Sequence, residues 1–297
     1  MKKKKVRSRI RQSGMNPAHF DRGQIKFYTV LIPVGIVMAL PIVFIIVNAF
    51  KPIDELFAYP PRFYVKNPTL DNFRLLLSVS SGTSVPAVRY LFNSIFVSLA
   101  VVLTTVIISA SAGFALSKKK FRARRALFDI NKTALMFVSV AVSIPRYFVI
   151  VYTGTFNTVF ANILPLIVIP TGVFLVKQFI DQLPDALIEA AVIDGASDFR
   201  ILRKIVFPLI KPTLATVTIL SFQSVWNNVE TSNLYINNEA IKTFAFYMST
   251  LTSVTSGSVA GQGISAAATL IMFLPNLVLF IILQSRVMNT MAHSGIK

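Results

Sequence analysis

Six stretches of the chain stay apolar long enough to demand explanation: approximately Phe27 to Phe50, Tyr90 to Leu116, Thr133 to Tyr152, Val159 to Val176, Pro212 to Glu230 and Ile264 to Leu283. The hydrocarbon layer of a bilayer is about 30 Å thick and a helix rises about 1.5 Å per residue, so about 20 mainly apolar residues make one crossing. The pattern predicts an all-α integral membrane protein with six transmembrane helices. The first run follows a basic stretch, but it is longer than a signal-peptide core and lacks a small-x-small cleavage site, so it is expected to remain in the chain as a span. Between the runs, Lys51 to Arg89 carries Pro60, Pro61 and Pro68 and predicts ordered turns with a short helix near Asp71 to Leu77. Thr231 to Gln262, rich in Ser, Thr and Asn, predicts a polar outer loop.

Charge then orients the spans. With the N-terminus inside, 23 of the 30 Lys and Arg fall on inner segments, whereas the 12 Asp and Glu divide almost evenly. Cytoplasmic flanks hold the excess of cations, so both termini are expected in the cytoplasm. The net charge of +18 is thus a topology signal, and no nucleic-acid partner is expected. Composition agrees: of 297 residues 54% are hydrophobic and 14% charged, against about a quarter charged in a soluble domain, and the mean hydropathy is +0.65. The expected division is a basic cytoplasmic tail (1–26), a six-span transmembrane domain (27–285) containing a cytoplasmic loop (178–212), and a cytoplasmic C-terminal tail (286–297). Lys2 to Lys5 read as an anchor to lipid headgroups.

The available chemistry is narrow. The chain has no Cys and two His, His19 and His293, both read as solvated tail residues, so neither a metal site nor a catalytic residue is expected. None of its 12 Gly is followed by Lys, which rules out a G-x-x-x-x-G-K-[ST] phosphate loop. No cofactor is expected on this chain.

The inner loop between the fourth and fifth runs is more informative. Pro184 suits a first helical position, with Asp185 and Glu189 near the positive end of the helix dipole. Gly195 suits a left-handed stop, Ser197 or Asp198 a cap for a second helix reaching about Phe207, and Pro208 and Pro212 the turn into the fifth span. A helix, a sharp bend and a second helix are predicted at the inner surface, with Ala190 and Ala191 small enough to admit a close neighbour.

Glu189-Ala190-Ala191, three residues, Gly195, nine residues, then Ile205-Val206-Phe207-Pro208 resembles the EAA loop of permease subunits in bacterial ABC importers, EAA-x3-G-x9-I-x-L-P, with Phe207 in place of Leu. The longer form through Ala196 and Ser197 is similar to the carbohydrate-uptake permeases of the maltose permease G type. Shorter matches run in family order: Phe50-Lys-Pro52, Pro68 to Phe73, Asn93-Ser94, Ala112 to Ser117, Ile144-Pro-Arg-Tyr147, and Ala266-Ala267 with Leu274-Pro275. The resemblance implies a coupling helix that docks in a groove on a cytoplasmic ATPase, with Glu189, Ala190, Ala191, Asp194, Gly195, Ala196, Phe207 and Pro208 at that seam. It implies as partners a second, similar permease subunit, two ABC ATPase subunits carrying ATP and Mg, and an extracytoplasmic solute-binding protein. The location implied is the bacterial inner membrane, and the cargo is a carbohydrate, expected to be an oligosaccharide.

The fifth run is the least apolar. Thr216, Gln223, Asn227 and Glu230 recur at helical spacing beside Ser224, Asn228 and Trp226, and such a stripe faces either a wet path or neighbouring spans. Amides suit sugar hydroxyls and an indole suits a pyranose face, so these residues, with Arg146 and Tyr147 in the third run, are the candidate substrate path. Arg146 is expected either to snorkel outward or to face a cavity. The family pattern W-N-E/D is displaced here to Trp226-Asn-Asn-Val-Glu230. Three alternatives stay open from the residues: a permease for a peptide or polyamine, a membrane-embedded enzyme, and an ATPase-binding scaffold that moves no solute.

Overall fold

The computed structural model describes residues 25–78, 85–255 and 258–294; Lys2 to Lys5, His19 and nearly all of the 1–26 tail lie outside them, as does the side chain of His293. The described residues form helices and connecting turns, in the order α1 (Ile25–Phe50), α2 (Ile53–Leu56), α3 (Asp71–Ser78), α4 (Ala87–Lys118), α5 (Arg124–Ala134), α6 (Ser143–Tyr152), α7 (Val159–Ile163), α8 (Pro170–Asp181), α9 (Asp185–Ile193), α10 (Asp198–Ile201), α11 (Phe207–Leu209), α12 (Lys211–Trp226), α13 (Glu230–Tyr235), α14 (Phe244–Thr255) and α15 (Val259–Ser294).

Three of these are individually long and apolar enough to cross a bilayer: α1, α4 and the Gly261–Ser285 part of α15. The other three expected spans are bent pairs. Arg124–Ala134 and Ser139–Tyr152 meet at 113°, Val159–Leu166 and Pro170–Asp181 at 41°, and Asp198–Leu209 and Lys211–Trp226 at 83°. The straight third span expected over Thr133 to Tyr152 is therefore corrected: helix stops at Ala134, Val138 is extended, and a 3-10 turn precedes α6. Alternating Val138, Val140 and Val142 with Pro145 behind them disfavours a continuous helix there. The fourth run breaks at Pro165 and Pro170, where the freed Ile167 carbonyl accepts from Thr105 Oγ1 at 2.9 Å, as a break inside a membrane requires. The fifth ends at Trp226 rather than Glu230.

The segments around 51–89 and 231–262 are more ordered than their composition suggests. The short helix expected near Asp71 is α3. Asn72 Nδ2 donates to the carbonyls of Ala49 (3.1 Å) and Lys51 (2.8 Å), closing the C-terminal end of α1. The loop expected over Thr231 to Gln262 is instead largely helical. Phe244, Tyr247, Met248 and Leu251 fall at i, i+3, i+4 and i+7, and all four are buried in a core with Leu76, Tyr90 and Ala267.

A second core lies at the opposite end, where Ala110 and Phe114 of α4, Val176 and Ile180 of α8 and Leu214 of α12 pack with Ala191, Ile201, Val206 and Ile210. Helix α4 meets α8 through small residues, the usual device where both helices are already in lipid. A Cβ on Gly113 would stand 2.6 Å from Val176 Cγ1 and 3.1 Å from the Lys177 nitrogen, closer than side chains approach. Gly113→Leu is expected to overpack this seam at a cost of about 1–3 kcal/mol, read as a lower thermal midpoint of the solubilised protein. An unchanged midpoint would contradict the close approach.

Candidate functional site

The loop 178–212 folds as a bent helix pair, with two adjustments. Pro184 is extended (φ −57°, ψ 132°) and precedes the first helical residue instead of occupying it. Gly195 is left-handed at φ +74°. Its N–H donates to the Val192 carbonyl at 3.0 Å and that of Ala196 to Ala191 at 2.9 Å, a pair of bonds that satisfies the carbonyls at the end of α9. Ser197 Oγ accepts from the Arg200 N–H at 3.4 Å and caps α10. Five π-helical residues, Leu202–Val206, continue α10 into α11, and the chain then turns through 83° into α12.

Burial divides the loop into two faces. Ala191 is 7% exposed and packs in the inner core with Ile188, Ala196 and Phe207 at its edge, so its small size serves the chain's own packing. Glu189, Ala190, Asp194 and Pro208 face outward, and neither Glu189 nor Asp194 makes a side-chain hydrogen bond or ion pair among the described residues. Alongside them stand Ile193, 86% exposed, and Phe199, 70% exposed. These two were missed in the sequence; the available signal is that they are apolar and fall off the face claimed by Ile188, Ala191 and Ile201.

The loop is fastened to the end of α4. Lys118, whose side chain is 6% exposed, donates to Asp185 Oδ1 at 2.6 Å and to the Leu183 carbonyl at 2.7 Å. Lys119 pairs with Asp198 on the other helix of the bend. Ser117 Oγ donates to Asp181 Oδ1 at 2.6 Å. Two consecutive lysines thus hold the two limbs of the bend. The hydrogen bond from Lys118, and then its charge, keep the Asp185 carboxyl below the usual aspartate range.

The candidate path residues separate. Gln223, Ser224 and Asn227 are exposed along one side of α12, while Trp226 is buried: its Nε1 donates to the Met272 carbonyl at 3.0 Å and its ring stacks on Phe222 at 5.5 Å. Trp226 borders an apolar hollow of about 610 Å³ with Leu99, Phe222 and Pro275, which suits neighbouring hydrocarbon better than a sugar. Asn228 is also structural, its Oδ1 accepting from the Thr231 N–H (2.9 Å) and hydroxyl (2.8 Å). Thr231 shares that one hydroxyl hydrogen with Asn162 Oδ1, to which Ser232 also donates, and Asn162 is fully buried in this polar knot, which was missed in the sequence. An Asn inside the apolar fourth run was the signal.

Arg146 and Glu230 come together. Their Nη1 and Oε1 lie 3.5 Å apart, with side chains 25% and 32% exposed, so Arg146 neither snorkels nor stands unpaired. Glu230 Oε1 itself has no hydrogen-bond donor among the described residues. Tyr147 adjoins the pair, its ring packing 6.0 Å from Phe156 and 6.3 Å from Tyr235. Gln223, Ser224 and Asn227 are exposed and precede Glu230 in the chain, and the charge-balanced pair is half-buried. Such a surface offers donors and acceptors but no reacting group.

Residues 24–285 match the family described as "Binding-protein-dependent transport system inner membrane component". The chain is 25% identical over 276 residues to the inner membrane ABC transporter permease protein YcjP of Escherichia coli, covering 92% of this chain and 96% of that one. It is 27% identical to the arabinooligosaccharides transport system permease protein AraQ of Halalkalibacterium halodurans, over 89% and 93% of the two chains. Among solved structures, a chain of a bacterial ABC transporter involved in the import of the acidic polysaccharide alginate superposes with a TM-score of 0.75 at 20% identity, covering 91% of this chain and 99% of that one. At that identity the likeness is one of fold.

Proposed function

We propose, for a chain that belongs to the binding-protein-dependent transport system inner membrane component family, that it is the permease subunit through which an ATP-driven importer passes an oligosaccharide. As a membrane-embedded ABC transporter permease it is not an enzyme, and its partners include an ATPase and a solute-binding protein. The arrangement we infer is one second permease, two ATPase subunits holding ATP and Mg, and both termini of this chain in the cytoplasm. The carbohydrate reading is supported by relatives such as AraQ and by an exposed stripe of amides and hydroxyls in a chain whose other exposed spans are apolar.

The observation that carries the mechanism is the bent loop, apolar on its outer face through Ile193 and Phe199 and tied on its inner face to α4, α8 and α12. An ATPase gripping that outer face moves a rigid body, because Gly195, the Ser197 cap and the inner core hold both limbs of the bend together. Displacement then passes directly to α12 through the turn at Ile210 and to α4 through Lys118 and Lys119. Alternating access follows: closure of the ATPases opens the spans outward to receive cargo from the binding protein, and hydrolysis with product release resets them. The cargo slides past polar groups and undergoes no covalent change.

Reconstitution with the ATPase, second permease and binding protein from the same host tests this reading. ATP-dependent uptake of an oligosaccharide from a panel that includes peptides and polyamines is expected; uptake of a non-sugar alone, or uptake without the ATPase, would overturn it. Asn227→Leu is expected to slow uptake about tenfold by removing a donor and acceptor from the path, while binding-protein-stimulated ATP hydrolysis persists.

A further inference from the structure

The segment joining α4 to α6 does more than connect spans. Helix α5 has three distinct faces. Phe128 and Asn131 face α8, where Phe128 stacks on Phe174 at 6.0 Å and Asn131 Nδ2 donates to the Pro170 carbonyl at 3.2 Å, while Arg124 on the same side reaches the end of α4. Leu127 and Ile130, one helical turn apart, are 49% and 65% exposed. Arg125, Asp129 and Lys132 form the polar face. As α5 advances from Phe128 to Asn131 its contacts step back along α8 from Phe174 to Pro170, so α5 runs antiparallel beside α8, with its basic first turn at the end of α4 and Leu127 and Ile130 as an exposed apolar strip.

Beside α5, at the ends of α4 and α8, is a hollow of about 490 Å³ lined by Lys120, Arg122, Arg124, Arg125 and Lys177 with Phe121 and Phe128 among its apolar walls. No carboxylate lines it. The carboxylates around it are already occupied: Asp129 by Lys132 at 2.7 Å, Asp181 by Lys177 at 2.5 Å, Asp185 by Lys118 at 2.6 Å, and Asp198 by Lys119. Arg124 commits Nε and Nη2 to the carbonyls of Leu116 and Ser117, and Asp185 feels its charge and that of Lys120 without forming an ion pair with either. Lys120, Arg122 and Arg125 have no carboxylate within ion-pair distance among the described residues. A concave site with several cations that outnumber the nearby acids, and no acid in its lining, recognises a phosphate.

We propose that this hollow binds the phosphate of an anionic phospholipid headgroup, whose acyl chains lie along Leu127 and Ile130. A lipid fits better than a soluble phosphate because the cations adjoin exposed apolar residues on the same helix, and these continue into Met136, Phe137 and Val138, which are 83%, 62% and 67% exposed. Arg122 and Arg125 suit the paired oxygens of a phosphodiester, and Phe121 and Phe128 suit the glycerol and first methylenes. Lipid held here touches α5 and thereby α8, in the same inner core as the coupling loop.

The test uses the assembled transporter in nanodiscs, with retained lipid counted by native mass spectrometry and exchange measured from phosphatidylcholine into phosphatidylglycerol. The wild type is expected to retain phosphatidylglycerol selectively. A variant with Lys120→Gln, Arg122→Gln and Arg125→Gln is expected to bind it on the order of a hundredfold more weakly, each surface cation contributing a similar factor. These three exposed side chains hold no other group, so the variant should keep its melting midpoint. Leu127→Ser with Ile130→Ser is expected to weaken retention of the long-chain lipid while leaving a short-chain glycerophosphate unaffected. Equal retention of both lipids, or an unchanged triple variant, overturns the proposal. So does competition by inorganic phosphate or ATP at micromolar levels, which would make the ligand soluble, and so does loss of the ATPase subunits from the triple variant with lipid retention intact, which would make the hollow a protein contact.

Discussion

Replacing Lys118 with Asp is expected to cut the uptake obtained per ATP hydrolysed by about tenfold, and adding Asp185→Lys in the same chain is expected to restore part of it. Lys118 is buried and makes two charge-assisted bonds to the loop, one to Asp185 and one to the Leu183 carbonyl. An aspartate there donates to neither and sets a carboxylate against Asp185, with Asp181 also close by through Ser117. The reversed pair recovers the attraction but not the bond to Leu183, hence the partial rescue. Uptake and ATPase rates measured in the same proteoliposomes give the ratio, and a double variant no better than the single would refute the clamp. Lowered in the folded state by Lys118, the Asp185 pKa also predicts a pH response. The clamp's contribution is complete above the ordinary aspartate value of about 4 and disappears only as pH falls through the lower folded value. The coupling ratio is therefore expected to stay level from pH 8 down to about pH 5.

The second large effect is expected at Gly195. Gly195→Pro fixes φ near −65° where +74° is needed and removes the N–H that bonds the Val192 carbonyl, so the two limbs of the bend lose their relative orientation. Uptake should be abolished while the chain still inserts in the membrane, since the spans do not depend on this turn. Gly195→Ala is a sharper control. Nothing lies within 4 Å of a Cβ built there, so the substitution costs only the left-handed conformation, roughly 1–2 kcal/mol, and uptake should fall modestly. Gly195→Asn, which tolerates that conformation, should be milder still. Equal loss in all three variants would indicate that the bend angle is not what matters. Glu189→Lys, on the exposed face beside Ile193, should weaken capture of the ATPase without altering the bend.

Particular residues show why parts of the molecule were legible and others were not. Gly195, Ser197 and the proline-bounded limbs were readable because a turn's backbone chemistry is local: a left-handed residue, a cap and a missing N–H belong to a few adjacent positions. The membrane class was readable because the cost of burying polar atoms in hydrocarbon applies to every residue of a span. Trp226 is the contrary case. Its neighbours in sequence, Gln223 and Asn227, are exposed and polar, and what claims the indole is the Met272 carbonyl of a helix 46 positions away. The helix α14 was hidden for a different reason. Its serines and threonines gave the region a loop-like composition, while the period of Phe244, Tyr247, Met248 and Leu251 carried the actual signal.

The same division holds for charge. That this chain is a helical membrane protein with a loop bent at one glycine follows from the sequence, because bilayer thickness, helix rise and backbone preference act on each residue without regard to distant ones. Tertiary structure alone decided that Ala191 points into the core and Ile193 out of it, that Arg146 meets Glu230, that Lys118 and Lys119 reach the two limbs of the loop, and that Lys120, Arg122 and Arg125 gather around a hollow with no carboxylate in its lining. Pairing depends on which side chains arrive within about 4 Å of one another, and the order of residues along a chain does not contain that distance until the helices have packed.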